Sequence, residues 1–205
     1  MKKVLLFILL ILLALSVYWF MLRTKKSGPA QPKQAPIVLQ KHSDSFNVSV
    51  DRAVDTYLKM KNNFVESDTT GIRSNAALFI KMLDSIPLQE LKKDTAMIFE
   101  TVQTNIEDIK ANAASLISQI TIDEMRKDFS MVTELMYPSF FKAINYEGKK
   151  LYLQHCPMAF DGEVGANWIS NSEEVINPYL GKQHPKYKAT MLHCGELMDT
   201  IKPAP

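Results

Sequence analysis

The feature that most constrains the fold is a helical repeat of apolar residues that runs for about 100 residues, from residue 46 to residue 144. Apolar side chains recur with a period near 3.6, and charged residues lie between them. The repeated positions are Val50, Val54, Tyr57, Leu58, Phe64, Val65, Ile72, Ala76, Phe79, Ile80, Leu83, Ile86, Ile98, Val102, Ile106, Ile109, Ala113, Leu116, Ile117, Met125, Phe129, Val132 and Met136. No glycine other than Gly71 occurs between residues 37 and 147, which suits long helices.

Capping and helix-breaking residues divide this repeat into four helices. Ser67 or Asp68 can cap the second helix, and Pro87 ends it. Thr121 with Glu124 matches a capping box that opens the fourth helix. Because four amphipathic helices with short connections bury their apolar stripes most simply against one another, we predict a mainly α fold built on an antiparallel four-helix bundle. A proline at position 138 is expected to end or kink the last helix before some helix resumes.

Six methionines of the predicted bundle are expected to pack in its core or at its boundary. They are Met60, Met82, Met97, Met125, Met131 and Met136. Each lies in or beside an apolar stripe, where the flexible thioether fills irregular gaps, so we do not interpret them as copper ligands. The bundle sequence has no histidine and no Glu-x-x-His motif, which excludes a carboxylate-bridged di-metal site.

The composition changes after residue 146. Five of the seven glycines, three of the four histidines and both cysteines lie between residues 148 and 195. Residues 150–154 alternate like a short strand, and Ser170 with Glu173 is typical of the start of a short helix. We therefore predict a small glycine-rich α+β subdomain that packs on the bundle, with Trp168 in its core.

An apolar segment precedes the helical repeat. Residues 4–22 carry no charge and would span about 28 Å as a helix, close to the hydrocarbon thickness of a bilayer. This length favours an uncleaved signal-anchor over a cleaved signal peptide. The predicted organisation is an N-terminal apolar helix as signal-anchor or signal peptide (1–22), a proline-containing flexible linker (23–44), the bundle (45–146) and the subdomain (147–205).

The charge distribution argues against nucleic acid as a partner. The first 36 residues hold six Lys or Arg and no acid, so the remaining 169 residues carry 18 basic against 22 acidic side chains. A folded region with this balance lacks the basic face that would replace counterions on a phosphate backbone.

Two short segments of the subdomain carry the candidate chemistry. His155-Cys156-Pro157-Met158 and Met191-Leu192-His193-Cys194 each offer a thiol, an imidazole and a thioether within four residues. Thiolate and thioether are soft ligands that favour Cu(I), and Gly195 would let the backbone approach the other segment closely. The candidate metal ligands are Cys156, Cys194, Met158, Met191, His155 and His193.

A disulfide is the alternative for the two cysteines. Outside the cytoplasm Cys156 and Cys194 would be expected to pair, and closing that loop would stabilise the fold by about 4 kcal/mol. Spacing alone leaves disulfide and metal site open, because both require adjacent sulfurs. Catalysis is not expected, because the chain has no recognisable nucleophile motif, phosphate loop, paired carboxylates or Cys-x-x-Cys redox motif.

The tail motifs resemble a known bacterial domain of unknown function. The matching stretches are YLQHCPMA (152–159), GANWIS (165–170), INPY (176–179), Gly181 and MLHCG (191–195). This domain occurs as secreted single-domain proteins and also appended to periplasmic adaptor subunits of CusB-type copper/silver efflux systems. The resemblance extends over about residues 45–200 and so includes the helical region.

The resemblance implies an extracytoplasmic location and a role in binding or handing over copper-like ions. By motif position, Cys156, Met158, Met191 and Cys194 correspond to the thiol and thioether positions of the family. We therefore expect a non-catalytic, inner-membrane-anchored Cu(I) or Ag(I) binding protein in the periplasm, or a periplasmic protein after signal cleavage. Its expected partners are the metal ion and an efflux adaptor or other envelope protein. The alternative is an interaction module with a structural Cys156–Cys194 disulfide.

Overall fold

The protein's structure, a computed structural model, describes residues 41–94, 96–160 and 162–201. Its helices are α1 (Asp44–Glu66), α2 (Thr69–Asp84), α3 (Ala96–Ser118), α4 (Ile122–Glu134) and the short α5 (Phe141–Ala143). A 3-10 helix (Leu88–Lys93) precedes α3, and a π-helical turn (Leu135–Phe140) links α4 to α5. The mainly helical fold predicted from the sequence is confirmed.

The predicted signal-anchor and most of the linker lie outside the described residues. Within the described part of the chain, no helix is both long enough and apolar enough to cross a bilayer.

The helix ends follow the local capping signals. Ser67 takes a left-handed conformation (φ 58°) and ends α1, and the Asp68 side chain accepts a hydrogen bond from the Gly71 amide (2.9 Å) at the start of α2. Thr121 and Glu124 form the predicted capping box of α4. These side chains satisfy amides that have no partner inside the helix, which is why residue type fixes the boundaries.

The helix after α4 is interrupted where Pro138 was expected to end or kink it. Tyr137, the residue before the proline, leaves the helical region with φ −131° and ψ 130°. The proline ring disfavours helical backbone at the preceding residue, so the helix is interrupted at Tyr137 and α-helical structure resumes at Phe141.

The C-terminal part forms a three-stranded antiparallel sheet in the order β2-β1-β3. The strands are β1 (Leu151–Phe160), β2 (Val164–Ser170) and β3 (Glu196–Ile201). The strand predicted over residues 150–154 is therefore the first half of a longer central strand, which continues through the first cysteine-containing segment.

The short helix predicted from Ser170 and Glu173 is wrong. Ser170 ends β2, and residues 171–174 form bends. The buried side chain of Gln154 on β1 explains this difference. The two N–H bonds of its Nε2 are shared among three successive backbone carbonyls, those of residues 172, 173 and 174, at 3.0, 3.2 and 3.1 Å. Carbonyls directed at one side-chain nitrogen are turned away from the amides that a helix would offer them.

Helices and sheet share one hydrophobic core. Phe129 of α4 lies at its centre, with ring centroids 5.1 Å from Tyr57, 4.7 Å from Phe64 and 5.9 Å from Tyr179. Trp168 of β2 is fully buried in the same cluster, as predicted. The core therefore holds the sheet directly against the helices.

A buried hydrogen-bond chain also fixes the sheet on the helices. The Ile169 amide donates to the Tyr57 hydroxyl (3.1 Å), which lies 2.6 Å from Thr133 Oγ1. Thr133 Oγ1 in turn donates to the Phe129 carbonyl (3.1 Å). Each buried polar atom of this chain is thus paired, as a buried polar network requires.

The methionine prediction is confirmed for four residues and wrong for two. Met60, Met125 and Met136 are buried, and Met82 is partly buried against the core. Met97 is 63% exposed and Met131 is 50% exposed. Each of these two directly precedes a buried stripe residue, so the helical rotation of about 100° per residue turns it toward solvent.

Candidate functional site

The two cysteines, 38 positions apart in sequence, lie side by side in the structure. Cys156 Sγ is 3.1 Å from Cys194 Sγ. Cys156 is buried on β1, and Cys194 lies two residues before β3 and is partly exposed. Pairing of β3 with β1, with Glu196 opposite His155, brings the sulfurs together. The two sulfurs are therefore adjacent, as both a disulfide and a shared metal ion require.

Asn177 holds the backbone that carries Cys194. Its fully buried side chain donates from Nδ2 to the Cys194 carbonyl (2.7 Å), and its amide donates to the Leu192 carbonyl (2.8 Å). Its Oδ1 accepts from the amides of Tyr179 (2.8 Å) and Leu180 (3.0 Å). This role is not among those predicted from the sequence, although an Asn-Pro pair is a signal for a side chain that bonds the following backbone.

Gly195 permits the close approach of this backbone to β1. Its φ is +143°, and a Cβ there would lie 2.6 Å from the His155 carbonyl oxygen and 2.9 Å from Trp168 Cη2. No side chain fits in that space. The expectation that Gly195 lets the two segments meet closely is confirmed.

The His155 ring belongs to a different network from the sulfurs. His155 and Cys156 are successive residues of a strand, so their side chains point to opposite faces. The ring Nδ1 donates to Asn167 Oδ1 (2.8 Å), and Asn167 Nδ2 donates to Glu134 Oε1 (2.7 Å). The structure therefore places this imidazole between β2 and α4 and away from Cys156.

Of the other candidate ligands, Met191 and His193 closely precede Cys194 in sequence, and Met158 follows Cys156 on β1. His193 is exposed, and its Nδ1 donates to the Val175 carbonyl (2.9 Å), which leaves the Nε2 lone pair unprotonated in the neutral ring. Met158 and Met191 are partly buried against the core. Among the described residues, no group of three or more His, Cys, Asp or Glu side chains is arranged to hold a metal ion.

The environment favours the protonated form of Cys194. Burial, and then the hydrogen bond and charge of Cys156, raise the pKa of the Cys194 thiol to about 11. The folded pKa exceeds the unfolded one, so the stability that this thiol contributes is present at neutral pH and is lost as the pH rises from about 9 through about 11. The reduced site is therefore a poor nucleophile at neutral pH, and a metal must displace a proton.

We expect the alkylation rate of Cys194 in reduced protein to rise about tenfold per pH unit beyond pH 9, where an ordinary cysteine levels off near its pKa of about 8.5. Peptide-level mass spectrometry after iodoacetamide pulses at several pH values measures it. Cys156→Ala removes the neighbouring thiol and should shift the profile to lower pH. An unchanged profile in this variant would show that Cys156 does not influence Cys194.

Only the helical part of the chain matches a known protein family. Residues 53–146 match the family described as protein of unknown function (DUF3347). This match extends from within α1 to just before β1 and includes neither cysteine. No curated protein and no solved structure matches the chain. Over its helical part, the chain is thus similar to a family whose function is undefined.

Proposed function

We propose that the protein binds a soft monovalent cation, Cu(I) or Ag(I), between Cys156 and Cys194 and takes part in handling that ion outside the cytoplasm. The observation that supports this most directly is the 3.1 Å separation of the two sulfurs. Thiolates are soft ligands, and Cu(I) is the first-row ion that they suit best when few other ligands are present.

The pair needs only a small rearrangement to hold an ion. With metal–sulfur bonds of about 2.3 Å, the value for zinc thiolates, two sulfurs on one ion are at most about 4.6 Å apart. The pair would therefore open by about 1.5 Å or less from its 3.1 Å separation. Asn177 holds the backbone at Cys194, but the Cys194 side chain is partly exposed whereas that of Cys156 is buried, so rotation of the Cys194 side chain would open the pair.

The remaining sequence candidates have secondary roles in this proposal. Met158 or Met191 would complete the coordination by a side-chain rotation, since a thioether on three rotatable bonds adapts easily. His193 offers an exposed Nε2 beside Cys194. The network of His155 with Asn167 makes His155 the weakest of the candidate ligands.

The cellular setting is also a proposal. The uncharged segment at residues 4–22 supports a membrane anchor or a signal peptide that is cleaved after export. The periplasmic side for the folded part is what the resemblance of the tail motifs implies. The resemblance of the tail motifs to the domain appended to CusB-type adaptors supports an efflux adaptor or another envelope protein as the partner that receives the ion.

An anaerobic titration with Cu(I) against a chromophoric chelator tests the proposal. Reduced parent protein should withdraw one Cu(I) per chain, and Cys156→Ser with Cys194→Ser should withdraw none. Met97→Ala with Met131→Ala is the matched control, because it removes two exposed thioethers remote in sequence from the site and should compete like the parent. If the double serine variant competes as well as the parent, the proposal is overturned.

A second candidate is a non-catalytic interaction module in which the same cysteines form a disulfide. It is favoured by the sulfur geometry together with the finding that, among the described residues, no His, Asp or Glu joins the two cysteines in a group of three arranged for a metal ion. A disulfide would need the sulfurs to close from 3.1 Å to about 2.05 Å. Mass spectrometry of protein isolated from the periplasm without reductant discriminates. Complete Cys156–Cys194 linkage, with no Cu(I) uptake after reduction, would support this candidate against the first.

A further inference from the structure

The geometry points to Trp168 as one wall of the proposed ion site, where its indole would contact the bound ion and restrict the site to weakly hydrated monovalent cations. This inference rests on the proposed function and adds a specificity-determining residue to it.

The indole lies next to both cysteine-containing segments. On the sheet, Trp168 is directly opposite Gln154, and Cys156 is directly opposite Ala166. Directly opposite residues share a face, so Trp168 is the diagonal neighbour of Cys156 on one face of the sheet. The six-membered part of the ring reaches the other segment, because a Cβ on Gly195 would lie 2.9 Å from Trp168 Cη2. Gly195 directly follows Cys194.

The hydrogen bonding of the indole does not account for its position. Within the described residues, the buried Trp168 Nε1 has no hydrogen-bond acceptor, and the buried Gln154 Oε1 opposite it has no donor. A buried polar group without a partner disfavours the fold, and a phenylalanine or leucine would fill a core position without that cost. What the indole offers that those side chains do not is the most electron-rich aromatic face.

An indole face beside the sulfurs would favour some metal ions over others. The negative face of an indole attracts a cation that has shed its water, and this attraction is strongest in a desolvated site. Zinc requires four nitrogen, sulfur or oxygen ligands, and Mg²⁺ releases its water reluctantly. Two thiolates, at most one added thioether and a ring give fewer than the four ligands of Zn²⁺ and no oxygen ligand for Mg²⁺, but they suit Cu(I) and Ag(I).

Intrinsic fluorescence tests the placement of the ring. The chain has two tryptophans, so Trp19→Phe leaves Trp168 as the sole reporter. Titration of this reduced protein with Ag(I) should change the emission and saturate at one ion per chain. The same titration with Zn(II), or of the variant that also carries Cys156→Ser and Cys194→Ser, should leave the emission unchanged. Saturated Ag(I) binding without an emission change would overturn the inference.

Affinity measurements on ring variants give an independent test. Competition with a chelator should show Trp168→Leu binding Ag(I) about 5- to 30-fold more weakly than the parent, with Trp168→Phe between them. Circular dichroism establishes that each variant is folded, and the fluorescence titration decides the question if the leucine variant does not fold. Equal affinities for all three proteins would overturn the role of the ring and leave the dithiol proposal intact. A parent that binds no Ag(I) would overturn both.

Discussion

Replacing Gly195 with alanine is expected to lower the free energy of unfolding by about 3 kcal/mol. The added Cβ would lie 2.6 Å from the His155 carbonyl oxygen, a backbone atom that cannot rotate away. It would also hold a side chain at φ +143°, in the region that favours glycine. Relief of the contact requires the backbone around Cys194 to move away from β1. Urea denaturation of the reduced protein measures the change.

Gly162→Ala is the matched control for this prediction. Gly162 has φ +78°, but the nearest atom to an added Cβ is Tyr187 Oη at 3.9 Å. This variant therefore carries the backbone strain without the clash, and we expect a loss of about 1 kcal/mol. Equal losses for the two variants would show that strain alone accounts for Gly195. Under the proposed function, the Gly195 variant should additionally bind Cu(I) more weakly, because moving the backbone of Cys194 away from β1 displaces its sulfur from that of Cys156.

Phe129→Ala is expected to cost about 3–5 kcal/mol, the range for removing a large aromatic side chain from a packed core. The Phe129 ring contacts Tyr57 and Phe64 of α1 and Tyr179 of the C-terminal part, so the cavity would open between helices and sheet. The cost should appear as one cooperative unfolding transition at lower urea concentration with an unchanged slope.

Met131→Ala on the same helix is the control for the core substitution. Met131 is 50% exposed, so its truncation should change the free energy of unfolding by less than about 0.5 kcal/mol. If Phe129→Ala cost no more than Met131→Ala, the shared core between helices and sheet would be wrong. Two separate unfolding transitions would also contradict it.

The helical part was predictable because its signals are local. The Thr121–Glu124 capping box, the Asp68 cap and the break at Pro138 each depend on a few neighbouring residues, and each is present as expected. Met131 was assigned wrongly because one residue's rotation on a helix separates a core position from an exposed one. The apolar pattern of the sequence does not fix the rotation of the helix finely enough to separate these two positions.

The sheet region was less predictable because its decisive contacts are between distant residues. The predicted helix at Ser170 does not form because Gln154, which lies 16 positions earlier, hydrogen-bonds the three backbone carbonyls of residues 172–174. Asn177 reaches Cys194 over 17 positions, a contact that no local pattern encodes. The two cysteines could be associated from their similar surroundings in sequence, but the hydrogen bond of Asn177 to the Cys194 carbonyl and the position of the Trp168 ring could not be predicted from it.

The strand order sets when the thiols can meet as the chain emerges. The central strand first pairs with its hairpin neighbour, which follows after a short turn, whereas the last strand must return across a long intervening segment. Contacts that close longer loops carry a larger entropic cost and form later. The first cysteine therefore cannot contact the second until 38 more residues have been made, and a chain that stopped before them would keep an unpaired thiol.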